Sequence, residues 1–201
     1  MKSQTKTNHG LTHHEIEAND KVHFGFWVYL MTDLLMFAAL FATFSVLRHN
    51  TFGGISMKEI FDGPFVLTET MLLLTSSFTS GIAMLYALGK NKKMTLVFLA
   101  ITFLLGAGFL GMELNEFSHL FAEGNTPQRS AFLSSFFTLV GTHGLHITAG
   151  LLWLSVCMIL VRSRGLTNNV VSKLTRFSMF WHFLDIVWIF IFTIVYLMGA
   201  M

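Results

Sequence analysis

The sequence predicts an all-α, polytopic membrane protein, a bundle of five transmembrane helices. Three observations carry that reading. Hydrophobic residues make up 53% of the chain and charged residues 12%, and the mean hydropathy is +0.62, too apolar for a soluble domain of this size. Five apolar runs each approach or exceed the ~20 residues that cross a bilayer core as a helix. None alternates with a period of two, so a β-barrel is not expected, and backbone satisfaction in lipid then demands helices. The net charge of +2 comes from cations scattered over the loops. No basic patch results, and no nucleic-acid partner is implied.

Residues 1–22 are polar and carry His9, His13 and His14. They are expected to form a solvated cytoplasmic tail. The tail lacks the short apolar core of a cleavable signal, so the first apolar run is expected to insert uncleaved. Residues 23–201 are expected to form one domain, with helices at 24–47, 65–88, 94–121, 131–161 and 176–198. Short connections make neighbouring helices antiparallel. The longest, 48–64, contains Gly53-Gly54 and Asp62-Gly63-Pro64 and reads as turns. Ten cations fall on one side: Lys2, Lys6, Lys21, Lys90, Lys92, Lys93, Arg162, Arg164, Lys173 and Arg176. Arg48, Lys58 and Arg129 fall on the other. The positive-inside rule therefore puts the N-terminus in the cytoplasm and the C-terminus in the periplasm. Cys157 is the single cysteine, so an intrachain disulfide is impossible.

The fourth span is the one that needs neighbours most. Its stretch Ser134–Trp153 places His143 and His146 near mid-membrane, with Ser135, Thr138 and Thr142 before them. Positions 135, 138, 142, 146 and 149 step by three or four along one side. Gly141, Gly144, Ala149 and Gly150 let another helix approach closely.

Five carboxylates lie within the spans: Asp33, Glu69, Glu113, Glu116 and Asp185. A charged Asp at a helix centre costs roughly 2.5–3.5 kcal/mol on insertion scales, so each is expected near an interface, paired, or neutral. The topology puts Glu69, Glu113 and Glu116 towards the outer side. Asp33 and Asp185 fall in the cytoplasmic half or near the midplane. In the third span Gly108, Gly111, Asn115 and His119 form a small-polar stripe, with Glu113 and Glu116 on an adjacent face. In the second, Glu69, Ser76 and Ser80 fall at helical spacing, which favours packing over chemistry. In the fifth, His182 and Asp185 are three apart and can hydrogen-bond, as a structural pair or as a proton relay. Asp33 has no Lys or Arg within one turn. Desolvation disfavours its charge, and His182 and His143 are conceivable partners. Its role is a bundle-fixing hydrogen bond or proton buffering. Arg164 and Arg176 are candidates for anionic lipid headgroups at the cytoplasmic interface.

Chemistry native to this chain has weaker support. His143 and His146 leave one helix on one side and cannot clamp a haem from opposite faces. A pair of either with His182, or a metal site from His143, His146 and Asp185, stays open on sequence grounds. There is no CxxCH, phosphate loop or nucleophile elbow. A transporter built from two repeats is disfavoured, because five spans do not divide into equal halves and neither proline is mid-span.

Several stretches resemble subunit III of the haem–copper oxidases, in particular the five-helix form of the bacterial bo-type ubiquinol oxidases. They are Phe24-Gly-Phe-Trp-Val-Tyr-Leu-Met-Thr-Asp33, Glu69-Thr-Met-Leu-Leu-Leu-Thr-Ser-Ser77, Gly106-Ala-Gly-Phe-Leu-Gly-Met-Glu-Leu-Asn-Glu116, Gly141-Thr-His-Gly-Leu-His146, Phe180-Trp-His-Phe-Leu-Asp-Ile-Val-Trp188 and Val195-Tyr-Leu-Met-Gly-Ala-Met201. Together they touch all five spans. The resemblance implies a non-catalytic core subunit of a proton-pumping quinol oxidase, with no catalytic, cofactor or metal residue of its own. Haems and copper would belong to subunit I, the direct partner, with subunits II and IV in the same complex and phospholipid bound in a cleft. Asp33 stands where the family segment usually carries Glu. Thr175 and Arg176 stand where the cytochrome c oxidase branch usually carries Glu before Trp-His, which favours the quinol branch. The runner-up is a stand-alone membrane haem or transport protein.

Overall fold

The structure, a computed structural model, describes residues 13–48, 50–51 and 63–197, with the backbone alone for 13–20. Five α-helices account for nearly all of them. They are α1 (His13–Leu47), α2 (Gly63–Leu88), α3 (Lys92–Ala122), α4 (Ala131–Arg164) and α5 (Asn168–Ile191), the last continued by a π-helical turn, Phe192–Leu197. All five are long and apolar enough to cross a membrane, so the all-helical, five-span expectation holds. The expected turns at Gly53-Gly54 and Asp62, His9 of the tail and the last residues, Met198–Met201, lie outside the described residues.

The helices overrun their apolar runs because polar residues cap them. Asn91 Oδ1 accepts from the Met94 N–H at 3.3 Å, Ser130 Oγ from Leu133 at 3.1 Å and Thr167 Oγ1 from Val170 at 3.4 Å. Each satisfies an orphan donor of a first turn. The Thr167 cap starts α5 eight residues before the apolar run suggested, adding two turns that hydropathy does not register. α1 likewise starts at His13 rather than near Phe24, although its membrane-length stretch begins at Lys21. Pro64 occupies the first turn of α2, where its missing N–H costs nothing.

Two helix ends share one geometry. After α3, Gly124 is left-handed (φ 76°), and the Gly124 and Asn125 N–H groups donate to Phe121 and Leu120 carbonyls at 3.0 and 2.9 Å. These are the paired bonds of a Schellman ending. After α2, Lys90 and Asn91 donate to Ala87 and Tyr86 at 3.1 and 3.0 Å, and the left-handed position is Lys90 (φ 56°). A side chain there is strained where glycine would be at ease.

The chain divides into two compact units, one ending at Met36 and the other running from Phe37. Within the second, α2 packs on α3, α3 on α4, α4 on α5 and α5 on α2. The last turns of α1 contribute rings to this unit: Phe44 lies 6.2 Å from Phe132 and Phe41 6.4 Å from Phe190, centroid to centroid. Trp181 sits in a tight slot between two helices. A Cβ built on Gly106 of α3 would fall 2.8 Å from its ring, and a Cβ on Gly150 of α4 would also fall 2.8 Å away. Two glycines thus make the slot that lets the indole reach the centre. The Trp181 Nε1–H donates to Ser76 Oγ of α2 at 3.0 Å, and Ser76 Oγ donates on to the Thr102 carbonyl at 3.3 Å. One side chain of α5 therefore ties together α2, α3 and α4.

Candidate functional site

The intramembrane polar residues sort into distinct neighbourhoods. The first gathers carboxylates from two helices. Glu69 of α2 lies close enough to Glu113 and Glu116 of α3 for their charges to interact. Glu69 is fully buried and Glu113 is 2% exposed. Tyr196 OH donates to Glu116 Oε2 at 2.9 Å. The π-helical turn carries that phenol, which is itself buried. Glu113 presses against the backbone of α4: a Cβ on Gly144 would stand 2.5 Å from its Oε1. Antiparallel helices bring these acids together, since they occur early in α2 and late in α3. Tyr196 was not singled out by the sequence, because a lone tyrosine near the end of a span gives no spacing signal.

The second neighbourhood is aromatic. His143 is fully buried, and neither ring nitrogen has a hydrogen-bond partner among the described residues. Its ring stacks on Trp188 at 5.3 Å and meets Phe109 edge-on at 6.0 Å. Phe37 covers it at 6.3 Å and touches His146 at 5.4 Å. The Trp188 Nε1–H donates to Thr70 Oγ1 at 3.1 Å, which fixes the stacking indole. His146 is half-buried, with Nδ1 2.8 Å from the Thr142 carbonyl, a bond within its own helix. These residues do not fit a haem: the faces and edges around His143 are occupied by rings that a porphyrin would have to displace. Among the described residues, no group of three or more His, Cys, Asp or Glu side chains is placed to hold a metal ion.

The third neighbourhood corrects the expected His182–Asp185 bond. His182 Nδ1 pairs instead with Ser77 Oγ of α2, at 2.6 Å. Asp185 also hydrogen-bonds Ser77. A hydroxyl both donates and accepts, so Ser77 joins two groups that share a helix face. This trio lines a groove of about 740 Å³ between α2 and α5.

The remaining candidates stand apart. Asp33 is hydrogen-bonded by Tyr29, one turn earlier on the same helix. The partners expected from the sequence were His182 and His143 of other helices; a tyrosine one turn away on the same helix gives no separate spacing signal. Gly108, Asn115 and His119 lie on the exposed side of α3, and nothing comes within 4 Å of a Cβ on Gly111. The small-polar stripe thus lies on the exposed side of α3, while close packing falls at Gly106. His119 Nδ1 sits 3.4 Å from Glu123 at the helix end. Arg164 is exposed, and Arg176 is half-buried with Nη1 unpartnered among the described residues.

The family model for cytochrome c oxidase subunit III matches residues 3–200, nearly the whole chain. The chain belongs to that family. Among curated relatives of this subunit III, the cytochrome bo(3) ubiquinol oxidase subunit 3 of Pseudomonas aeruginosa is 57% identical over 94% of the chain and 90% of its own length. The quinol oxidase subunit 3 of Bacillus subtilis is 49% identical over 87% and 86%. A cytochrome c oxidase subunit 3 from the same organism is also 49% identical, over 87% and 85%. The matches agree with five membrane-length helices in a multi-pass protein of the bacterial cytoplasmic membrane.

Proposed function

We infer that this chain is the subunit III of a proton-pumping ubiquinol oxidase, a non-catalytic core subunit that packs against subunit I beside subunits II and IV. Haems and copper are assigned to subunit I, where quinol oxidation is coupled to oxygen reduction. The observation that supports a scaffolding role is how the polar interior is used. Trp181, Trp188 and Tyr196 each donate across to another helix, and the fully buried His143 is packed among rings. Such a bundle offers a rigid apolar surface to a larger subunit.

The orientation is assigned with the N-terminus and residues 1–22 in the cytoplasm. Support comes from the cationic ends: the connections 89–91 and 165–167 lie at one end of the antiparallel helices. There Lys92 Nζ donates to the Arg162 carbonyl at 2.8 Å and joins them. Phospholipid is assigned to the subunit as a structural ligand, with Arg164 and Arg176 as headgroup contacts. The membrane acids Asp33, Glu69, Glu113, Glu116 and Asp185, with His119, His143, His146 and His182, are read as bundle-fixing groups before proton carriers.

The test is purification of the complex from native membranes through an affinity tag on this chain. The expected product carries a large haem-bearing subunit and oxidises quinol, while the chain expressed alone shows no Soret band. A Soret band in the isolated chain, or recovery without any haem-bearing subunit, overturns the assignment.

A further inference from the structure

The groove between α2 and α5 is apolar at its rim and polar at its floor. Ser77 and His182 lie near the middle of their spans, Gly63–Leu88 and Asn168–Leu197. About 15 Å of hydrocarbon therefore separates them from either headgroup layer. His182 Nδ1 is engaged by Ser77. Its Nε2 lies over Gly81, 4.0 Å from where a Cβ would stand, and both residues line the groove. At this depth a phospholipid offers only methylenes, so an acyl chain in the groove leaves the second imidazole nitrogen unsatisfied.

The rim has a definite period. Leu74, Phe78, Gly81 and Leu85 follow one another at intervals of four, three and four. Leu74 is 44% exposed, and Phe78 and Leu85 are each 69% exposed. That spacing is the seam of a left-handed helix pair. Ser77 and Gly81 add a small-xxx-small step beside it, which allows a close backbone approach. A lipid tail requires neither a heptad seam nor a glycine in register with a hydrogen-bonding group. A packed helix makes use of both.

We propose that the α2/α5 groove seats a transmembrane helix of another oxidase subunit, one that presents a hydrogen-bonding side chain to His182 Nε2. The hydrogen-bonding complementarity at the midplane and the seam above it select a polar-centred apolar helix over lipid. The proposal rests on the chain's being a subunit of a multi-chain complex, and its test separates the two.

The experiment uses the intact tagged complex with p-benzoyl-phenylalanine in place of Phe78. Irradiation is expected to join the chain to one other oxidase subunit, and the cross-linked peptide to come from a membrane span of that subunit. Labelling of phospholipid only, or of a second copy of this chain, overturns the proposal while the subunit assignment stands, provided the complex co-purifies. Failure of the unsubstituted chain to co-purify overturns both. Two further variants read the contact itself. Gly81→Leu fills the seam and His182→Phe keeps a ring without nitrogens. Each is expected to cut the yield of the cross-link, and retention of the partner subunit on washing, by about threefold to tenfold. Unchanged yield and retention in both variants also overturns the proposal.

Discussion

Replacing Gly150 by alanine tests the slot that holds Trp181. The new Cβ would lie 2.8 Å from Trp181 Cζ3, 3.1 Å from Cε3 and 3.3 Å from Phe180 Cε1. Ordinary carbon contacts sit at about 3.5–4.0 Å, so the indole must retreat by most of an ångström. Its room towards α3 is small, because the Gly106 backbone lies so near that a Cβ added there would fall 2.8 Å from the ring. It cannot slide without stretching the 3.0 Å bond from Nε1 to Ser76. Overpacking of a filled core costs about 1–3 kcal/mol, and a weakened buried hydrogen bond adds about 1 kcal/mol. The alanine also raises helix propensity by about 1 kcal/mol, which offsets part of this. The expected net loss is about 1–3 kcal/mol, measured by unfolding in mixed micelles or as a lowered Tm of the subunit in the purified complex. Gly111→Ala is the matched control. Nothing lies within 4 Å of its Cβ, so only the propensity gain remains and stability should hold or rise. Trp181→Phe in the Gly150→Ala background should recover part of the steric loss, a non-additive outcome expected of residues in contact. Equal effects of the two glycine substitutions would refute the slot as described.

Other outcomes follow from the same geometry. His143→Ala or His146→Ala should leave the haem spectrum of the complex unchanged, since the first is enclosed by rings and the second bonds its own helix; loss of one haem per complex would contradict this. Asp33→Asn keeps the size of a side chain bonded by Tyr29, so assembly and quinol oxidation should stay near normal from neutral to alkaline pH. A selective alkaline loss of turnover with the subunit still bound would instead point to proton supply. Arg176→Gln should lower the anionic phospholipid retained per complex in native mass spectrometry, with an unchanged lipid count as the contrary result. Lys90→Gly relieves a left-handed side chain after α2 and should stabilise the subunit by about 1 kcal/mol, read as a raised Tm; a lowered Tm would show that the lysine side chain matters more than the backbone.

Helix number, type and order were legible because lipid leaves the backbone few options, and five long apolar runs leave no other count. Ends were less legible. The first two turns of α5 contain Asn168, Asn169, Ser172 and Lys173, which hydropathy excludes, yet Thr167 caps them as helix. The glycine pattern of α4 pointed correctly to close packing at Gly144 and Gly150. On α3 the close contact falls at Gly106, outside the small-polar stripe of Gly108 and Gly111, because a stripe of small residues looks the same in sequence whether it faces a neighbour or lipid. The acids near one end of the bundle were placed together by topology alone. Ser77 between His182 and Asp185 was not visible, since a hydroxyl from another helix leaves no trace in the spacing of the two it joins.

The socket for Trp181 also bears on how the protein is made. Its walls come from Gly106 and Gly150 and its hydrogen-bond acceptor from Ser76, all synthesised before the indole. Roughly thirty residues separate Gly150 from Trp181, so at ribosomal speeds of about 5–20 residues per second the finished socket waits for a few seconds. During that interval three inserted helices expose a glycine-lined notch and an unclaimed serine. A ribosome that stalls, or a message cut short before α5, leaves that notch open permanently. The last helix to emerge is therefore the latch, and its arrival distinguishes a completed subunit from a fragment that the cell's membrane proteases are free to remove.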